Sequence, residues 1–433
     1  MKILISAYAC SPIQGSEGGN GFNWVWETAA LGHEVWCMTD SPGQPDLDKW
    51  LADHAEHPTA ARIHPVYVDV PAAVHYLYRW QFGVYLHYLV WQRCAVDVAR
   101  QLDATIDFDL IHHVTFNSLQ MATGLWRLEK PLMLGPVGGG IRAPKSLRRY
   151  MPDWFKNETI RELVSGLLIK LDPNVRQSLR RAKLVFAANH ETAALAKSLG
   201  AKQVELAMST AQPASFFPAS YPPRPQLAGR PLRILWLARL YPRKGLHLVL
   251  EALAQVSKRV PFHLDILGDG PVGPLVPGWI AAANLQDKVT WHGSVPYTDV
   301  REAYLSHDLF MLCSLRDTYA SQYIESMALG LPILTLDHHG ATSFIPDEAG
   351  IKVAVQSAEA TAAALARAVE HLYDHPAELE QRGRASFAFA SQYSWPQLVA
   401  DTHCRAATLV PTLAGLAPAV GLPAVVPTLA FAS

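Results

Sequence analysis

Apolar residues along this chain gather in short runs, and between most runs they recur at helical spacing. Runs at 3–7, 34–38, 63–68, 110–113, 132–134 and 184–187 read as strands. They are apolar at consecutive positions, as expected of strands covered on both faces, and the alternation with helices predicts parallel βα units. A second series follows at 233–240, 264–267, 289–292, 309–313 and 333–336. Its first run, Arg233-Ile-Leu-Trp-Leu-Ala-Arg-Leu240, echoes Lys2-Ile-Leu-Ile-Ser-Ala-Tyr8, and each leads into a glycine-bearing loop and a helix. The pattern predicts an α/β chain of two successive Rossmann-like domains, closed by a long helical segment at roughly 358–409.

The two series are separated by Pro213, Pro218, Pro222, Pro223 and Pro225, too many prolines for a helix or a central strand. The expected division is an N-terminal domain at 1–212, a linker at 213–230, a C-terminal domain at 231–392, a C-terminal helix at 393–410 and an apolar, proline-rich tail at 411–433. The tail is uncharged and nearly long enough to span a bilayer. Pro411, Pro418, Pro423 and Pro427 recur too often for a spanning helix, so a disordered or loosely packed tail is expected. Met1 to Cys10 lacks the basic and long apolar regions of a signal peptide and reads as a first strand.

Composition narrows the classes. Of 433 residues, 50% are hydrophobic and 17% charged, enough for large cores and against disorder. Lys and Arg number 37 against 38 Asp and Glu, which excludes a globally basic nucleic-acid binder, and no nucleic-acid-binding motif is present. Cys10, Cys37, Cys94, Cys313 and Cys404 form no CxxC pair, which argues against a disulfide framework or cysteine zinc site and fits a reducing compartment.

Candidate chemistry concentrates in the second series. After the run ending at Cys313, a loop carries Asp317 and a helix is expected from about Ala320, with Glu325 inside it. The unpaired first amides of such a helix, near Ala320 and Ser321, suit a phosphate, and a carboxylate further along can accept from two vicinal ribose hydroxyls. The competing reading is helix capping by Asp317 and Ser321 with a solvated Glu325. Arg239 and Lys244 follow the first strand of this series, at the sheet edge where ligands bind in such folds, and two cations there suit a departing diphosphate. Gly268-Asp269-Gly270 closes the next strand with a tight turn.

Taken in order, these loops resemble those of glycosyltransferase family 4, the retaining GT-B enzymes that use nucleotide-activated sugars. Ala238 to Gly245 is similar to the family's Gly-Arg-Leu-x-x-x-Lys-Gly loop, Gly268-Asp269-Gly270 to its Gly-x-Gly turn, and Asp317-x7-Glu325 to its Glu-x7-Glu motif. Glu325-Ser-Met-Ala-Leu-Gly-Leu-Pro332 is similar to its Glu-Ala-Met-Ala-x-Gly-x-Pro run. The resemblance extends to Gly15-Ser-Glu-Gly18-Gly19-Asn-Gly21 and covers about residues 1–400. It implies two domains facing across a cleft, with the C-terminal helix packing back toward the first. It implies that Arg239 and Lys244 clamp the donor diphosphate, Glu325 binds the ribose, and Asp317 faces the transferred sugar. Gly18, Gly19, Gly268 and the amides of Ala320 and Ser321 complete the donor site. Two departures bear on the sugar pocket: Asp317 is one methylene shorter than the usual Glu, and Tyr319-Ala320-Ser321 replaces the usual Phe-Gly-Leu.

On the acceptor side the resemblance implies a histidine beyond a first-domain strand near the reacting centre. His112 or His113 fills that role, and strand alternation turns only one of them toward the cleft. Gly138 and Gly139 allow close backbone approach, and Glu17 either meets the acceptor or caps the helix after it. Asp107-Phe-Asp109 spells a metal-binding Asp-x-Asp, but it precedes a strand and reads as strand entry. With no cluster at metal-ligand spacing, the expected chemistry needs no metal or other cofactor. The co-substrate is a UDP- or GDP-linked sugar, and the partner is a glycan or lipid-linked acceptor. The aromatic stretch 74–102 reads as core packing, an acceptor wall or a membrane-facing helix. Paired arginines in 142–183 read as a solvated face or an anionic-lipid contact. Together they point to a cytoplasmic enzyme at the inner face of a membrane, acting in polysaccharide or lipid-linked glycan assembly. The rival readings are an epimerase or phosphorylase on the same fold and a non-catalytic nucleotide-sugar-binding subunit. A Rossmann oxidoreductase is disfavoured, because the spacing of Gly15 to Gly21 is wrong for dinucleotide binding.

Overall fold

The computed structural model describes residues 1–13, 15–76, 83–116, 118–227 and 229–417. Tyr78, Trp80 and Phe82 of the aromatic stretch, and the tail from 418, lie outside the described residues.

The described residues form two parallel sheets. The first contains β1 (Lys2–Ser6), β2 (Glu34–Asp40), β3 (Ile63–Val68), β4 (Leu110–His113), β5 (Leu132–Val137), β6 (Leu184–Ala187) and β7 (Val204–Leu206), in the order β3-β2-β1-β4-β5-β6-β7. The second contains β8 (Leu232–Leu237), β9 (Phe262–Leu267), β10 (Val289–Gly293), β11 (Leu309–Met311), β12 (Ile333–Leu336) and β13 (Gly350–Val353), in the order β10-β9-β8-β11-β12-β13. All eleven expected runs are strands. β7 and β13 escaped the pattern because each is only three or four residues long and a charged residue, Glu205 or Lys352, interrupts its apolar run. The expected closing segment is three helices, Ala358–Asp374, Pro376–Ala390 and Trp395–Leu409; Pro376 opens the second, and the Ser357 hydroxyl caps the first at the Ala360 amide.

Each sheet reverses direction once. In the first, the chain leaves β1 toward β2 on one side and β4 toward β5 on the other; in the second, β8 and β11 are the corresponding neighbours. The carboxyl ends of such a pair leave a crevice into which backbone amides and loop side chains point. This places one candidate ligand site on each sheet.

The described residues form two compact units: those within 1–140, 163–210 and from 395 on, and those within 141–162 and 211–394. Thus 141–162, within the expected N-terminal domain, clusters with the second sheet. The final helix Trp395–Leu409 clusters with the first, where Trp395 meets Trp24 edge-on at 6.2 Å and Arg405 bonds the Leu206 carbonyl at 2.9 Å. In the first unit, helix Gly83–Ile106 lays Tyr88, Trp91, Ala95 and Ala99 on Leu4, Ile111, Leu134 and Val185 of the sheet. Of the aromatics of the expected stretch that are described, Tyr88 and Trp91 are core, and Tyr76 and Tyr85 are exposed.

Candidate active site

At the crevice of the second sheet, backbone proximity requires glycine at two positions. Gly245 has φ +73°, and a Cβ there would stand 2.0 Å from the Cys313 carbonyl oxygen; Gly268 has φ +128° and would bring a Cβ to 2.1 Å from that of Ala238. The loops after β8, β9 and β11 are consequently laced together. The Leu240 amide donates to Asp269 O at 3.0 Å, and the Leu315 amide donates to Arg243 O at 2.7 Å. The Ser314 hydroxyl adds a bond to Arg243 O at 3.0 Å, and the ring of His338, after β12, lies 2.7 Å from Ser314 O.

On this frame Lys244, itself buried, meets Asp317: Nζ lies 2.5 Å from Oδ2, and Arg243 Nη1 reaches the same oxygen at 3.2 Å. The Ser314 hydroxyl donates to it at 3.3 Å. Burial pushes the Lys244 ammonium below its ordinary range, opposed by Asp317. Burial would raise the Asp317 carboxyl, but Lys244 and Arg243 outweigh it and hold the acid below its usual range. One residue earlier, Arg316 donates to Glu158 at 2.9 Å, and Arg161 donates to the other oxygen of that fully buried carboxylate at 3.0 Å. Burial and the nearby Arg161 both press on the Arg316 guanidinium. Four cations, Arg161, Arg243, Lys244 and Arg316, thus share two carboxylates, Asp317 and Glu158. The surplus is positive, at a sheet edge, beside the N-terminus of helix Ser321–Ala328, whose N-cap Ala320 supplies no side-chain oxygen to the free amides.

Glu325 lies within that helix and is buried; Tyr304 donates to its Oε2 at 2.9 Å, and burial pushes its carboxyl up against the pull of the Tyr304 and Ser321 hydroxyls. Asp317 is an ion-pair partner and not a cap, and Glu325 is not a solvated surface residue. Tyr319 is buried against Tyr323 and Phe344. Arg239 stands apart from the ion-pair network, exposed, with its guanidinium 5.1 Å from the Tyr241 ring. Arg243 was legible as the neighbour of Lys244. Glu158 and Arg161 carried no signal, since they lie more than a hundred positions from the loops they join.

At the crevice of the first sheet both histidines are buried, on opposite faces of β4. His112 bonds Gly135 O through Nε2 at 2.8 Å, under the edge of Trp24. His113 pairs with Ser6 Oγ at 3.1 Å and Tyr88 Oη at 3.3 Å. Burial depresses His112 to about 4 and His113 to about 3. Glu17, Gly18 and Gly19 form the first turn of helix Ser16–Ala30, with Gly18 O accepting from the Ser11 amide at 3.0 Å. Gly138 O accepts from the Leu119 amide, and Gly139, at φ +114°, offers its carbonyl to Gln120 at 2.6 Å. Asp107 pairs with Lys130 and Asp109 accepts the Lys2 amide at 2.7 Å, which is strand entry. Among the described residues no three His, Cys, Asp or Glu side chains are grouped to hold a metal ion.

Residues 220–386 match the family model of glycosyl transferases group 1. Among curated proteins, the chain is 28% identical to WcaL of Escherichia coli K12, named for colanic acid biosynthesis, over 49% of this chain and 54% of that protein. It is 29% identical to the amylovoran biosynthesis glycosyltransferase AmsK of Erwinia amylovora, over 39% and 44%. The matched region spans about half the length of these relatives. The fold is similar to sucrose-phosphate synthase of Thermosynechococcus elongatus, with TM-score 0.63, 17% identity and 94% and 98% of the two chains covered. It is also similar to HepE of Anabaena in complex with UDP, with TM-score 0.61, 16% identity and 94% and 100% covered. The resemblance to family 4 is thereby borne out, and the fold is GT-B.

Proposed function

We propose that this chain is a retaining, metal-independent glycosyltransferase that moves a hexosyl group from a UDP- or GDP-linked sugar to a glycan or lipid-linked acceptor in polysaccharide assembly. The observation that carries the reading is the positive surplus at the β8/β11 crevice, where Lys244 is buried and Arg243, Arg316 and Arg161 are partly exposed about Asp317 and Glu158: a surplus of this kind is satisfied by a polyanion, and a nucleoside diphosphate supplies one. Lys244, together with Arg239 from the exposed start of the same loop and the free amides at Ala320 and Ser321, stabilises the charge that develops on the departing diphosphate. These groups do in place what a divalent ion does elsewhere. Glu325, held by Tyr304, takes the ribose hydroxyls. Asp317 turns from Lys244 toward the transferred sugar once the diphosphate replaces it as the lysine's counter-ion. His113, Glu17, Gly138 and Gly139 serve the acceptor on the first sheet. We assign no side chain among the described residues, Asp317 included, as a covalent nucleophile, and read retention as front-face attack assisted by the leaving phosphate. UDP and UDP-glucose, named as ligands of the HepE structures, are the ligands to test first, UDP-glucose as donor.

The experiment is a thermal-shift titration with UDP, GDP and their sugars, since a ligand that binds only the native state raises its melting temperature. A saturable shift with one nucleotide diphosphate in EDTA, lost in Lys244→Ala, is expected. A flat response to all of them rejects the reading. Product anomers assigned by NMR decide retention, and transfer that stops in EDTA rejects metal independence.

We extend the reading to an anionic membrane surface. No helix among the described residues is long and apolar enough to cross a membrane. However, Leu163, Val164, Leu167 and Leu171 share one exposed face of a helix, and exposed Lys170, Arg176, Arg180 and Lys183 follow or interrupt it.

A further inference from the structure

At the crevice of the first sheet, Phe116 has φ +59°. A bulky side chain in the left-handed region is held there by its surroundings, and such strain gathers at ligand sites. Its ring stacks on Tyr88 at 4.2 Å and 21° and meets Tyr8 and Tyr85 edge-on at 5.5 and 5.7 Å. Tyr8 comes from the loop after β1 and Phe116 from the loop after β4, the two strands that flank the switch point. Tyr85 is 46% exposed although Tyr88, on the next turn of the same helix, is fully buried. The cluster is therefore not only core: one aromatic wall faces outward.

Behind the wall lies a row of polar groups. Tyr8 Oη is 2.9 Å from His87 Nδ1, and Tyr88 Oη bonds the Met121 carbonyl at 2.9 Å and reaches the His113 ring. The carboxylates whose field reaches these side chains are Glu17 and Asp172 at Tyr88 and Asp40 at His87, where the His75 imidazole opposes Asp40. Acidic surroundings repel phosphate, which disfavours a second nucleotide. An aliphatic chain would call for an aliphatic groove. The polar row is buried and bonded within the protein, so what the wall offers is aromatic surface, and an uncharged ring with one C–H face fits it.

We propose that the exposed Tyr85 ring, braced edge-on by Phe116 and behind it by Tyr8 and Tyr88, is a stacking platform for the pyranose ring of a neutral glycan. That this glycan is the acceptor rests on the function proposed above; the binding itself does not.

Saturation-transfer NMR with lactose, cellobiose and maltose as probes tests it. The expected result is saturation concentrated on the axial C–H protons of one ring face. Tyr85→Ala is expected to weaken the best probe about tenfold, while Tyr85→Trp, which keeps a stacking face, stays within about twofold. The half-exposed position lets both variants fold, and an unchanged melting temperature checks this. Equal binding by wild type and Tyr85→Ala, no saturation of any saccharide, or stronger Tyr85-dependent saturation of adenosine overturns the platform. The UDP thermal shift is read in the same samples. A UDP response without saccharide binding sinks the platform and leaves the donor reading; saccharide binding without a UDP response does the reverse.

Discussion

The Lys244–Asp317 pair illustrates why identity at one position decides so much. A buried ammonium is tolerated because the Asp317 carboxylate meets it, and removing the cation leaves that carboxylate with Arg243 and the Ser314 hydroxyl as its remaining partners. Lys244→Ala is expected to lower turnover by about 10²–10³, the usual loss when one preorganised donor to a leaving oxyanion is removed, and steady-state kinetics measure it. The buried histidines of the first unit give a second prediction. His112 and His113 sit near 4 and 3, against about 6.5 for the unfolded chain. Between those values the unfolded state binds more protons, so stability rises with pH across the window and falls on acidification below about 6.5. His33, also depressed to about 4 by burial, adds to the slope. Urea unfolding from pH 7 to pH 5 should show this loss. His112→Asn should flatten the curve by about one proton, about 1.4 kcal/mol per pH unit.

At the scale of elements, the sequence was most legible where burial is two-sided and least where contacts are remote. Strands such as β1 and β8 are continuous apolar runs, and the Asp317–Glu325 spacing straddles a loop and a helix, so both could be read from neighbours in the chain. β7 and β13, short and interrupted by Glu205 and Lys352, lack that signature. The segment 141–162 could not be assigned to the second sheet, because only three-dimensional contact brings Glu158 to Arg316. That carboxylate is nevertheless what fixes the start of the Asp317 loop. Glu158→Gln keeps the shape and removes the charge, leaving Arg161 and Arg316 uncompensated. Breaking a buried pair in this way costs about 3–5 kcal/mol, and chemical denaturation should report a loss of that order. If the change in stability is under about 0.5 kcal/mol, the ion pairs do not organise the loop.

For the whole molecule, formal net charge is −1, so any attraction to an anionic bilayer must come from local asymmetry and not from the protein's overall field. Residues 163–183 contain five Lys or Arg and one Asp or Glu, next to an apolar helix face on which Leu163 is 72% exposed and Leu171 70%. An exposed stripe of this kind is unusual on a monomer surface, where large apolar patches mark interaction sites. Each basic side chain near the surface contributes about 1 kcal/mol at low salt, and the leucines add a salt-insensitive part when they enter the headgroup boundary. The expected behaviour is flotation with vesicles containing phosphatidylglycerol, little binding to neutral phosphatidylcholine, and partial release in high salt. Leu163→Glu combined with Leu167→Glu removes both the apolar contact and part of the charge bias, so it should abolish flotation. Because both side chains already face water, the melting temperature should hold. If the double variant floats like the wild type, the stripe is not the membrane contact, and the exposed apolar face has another occupant.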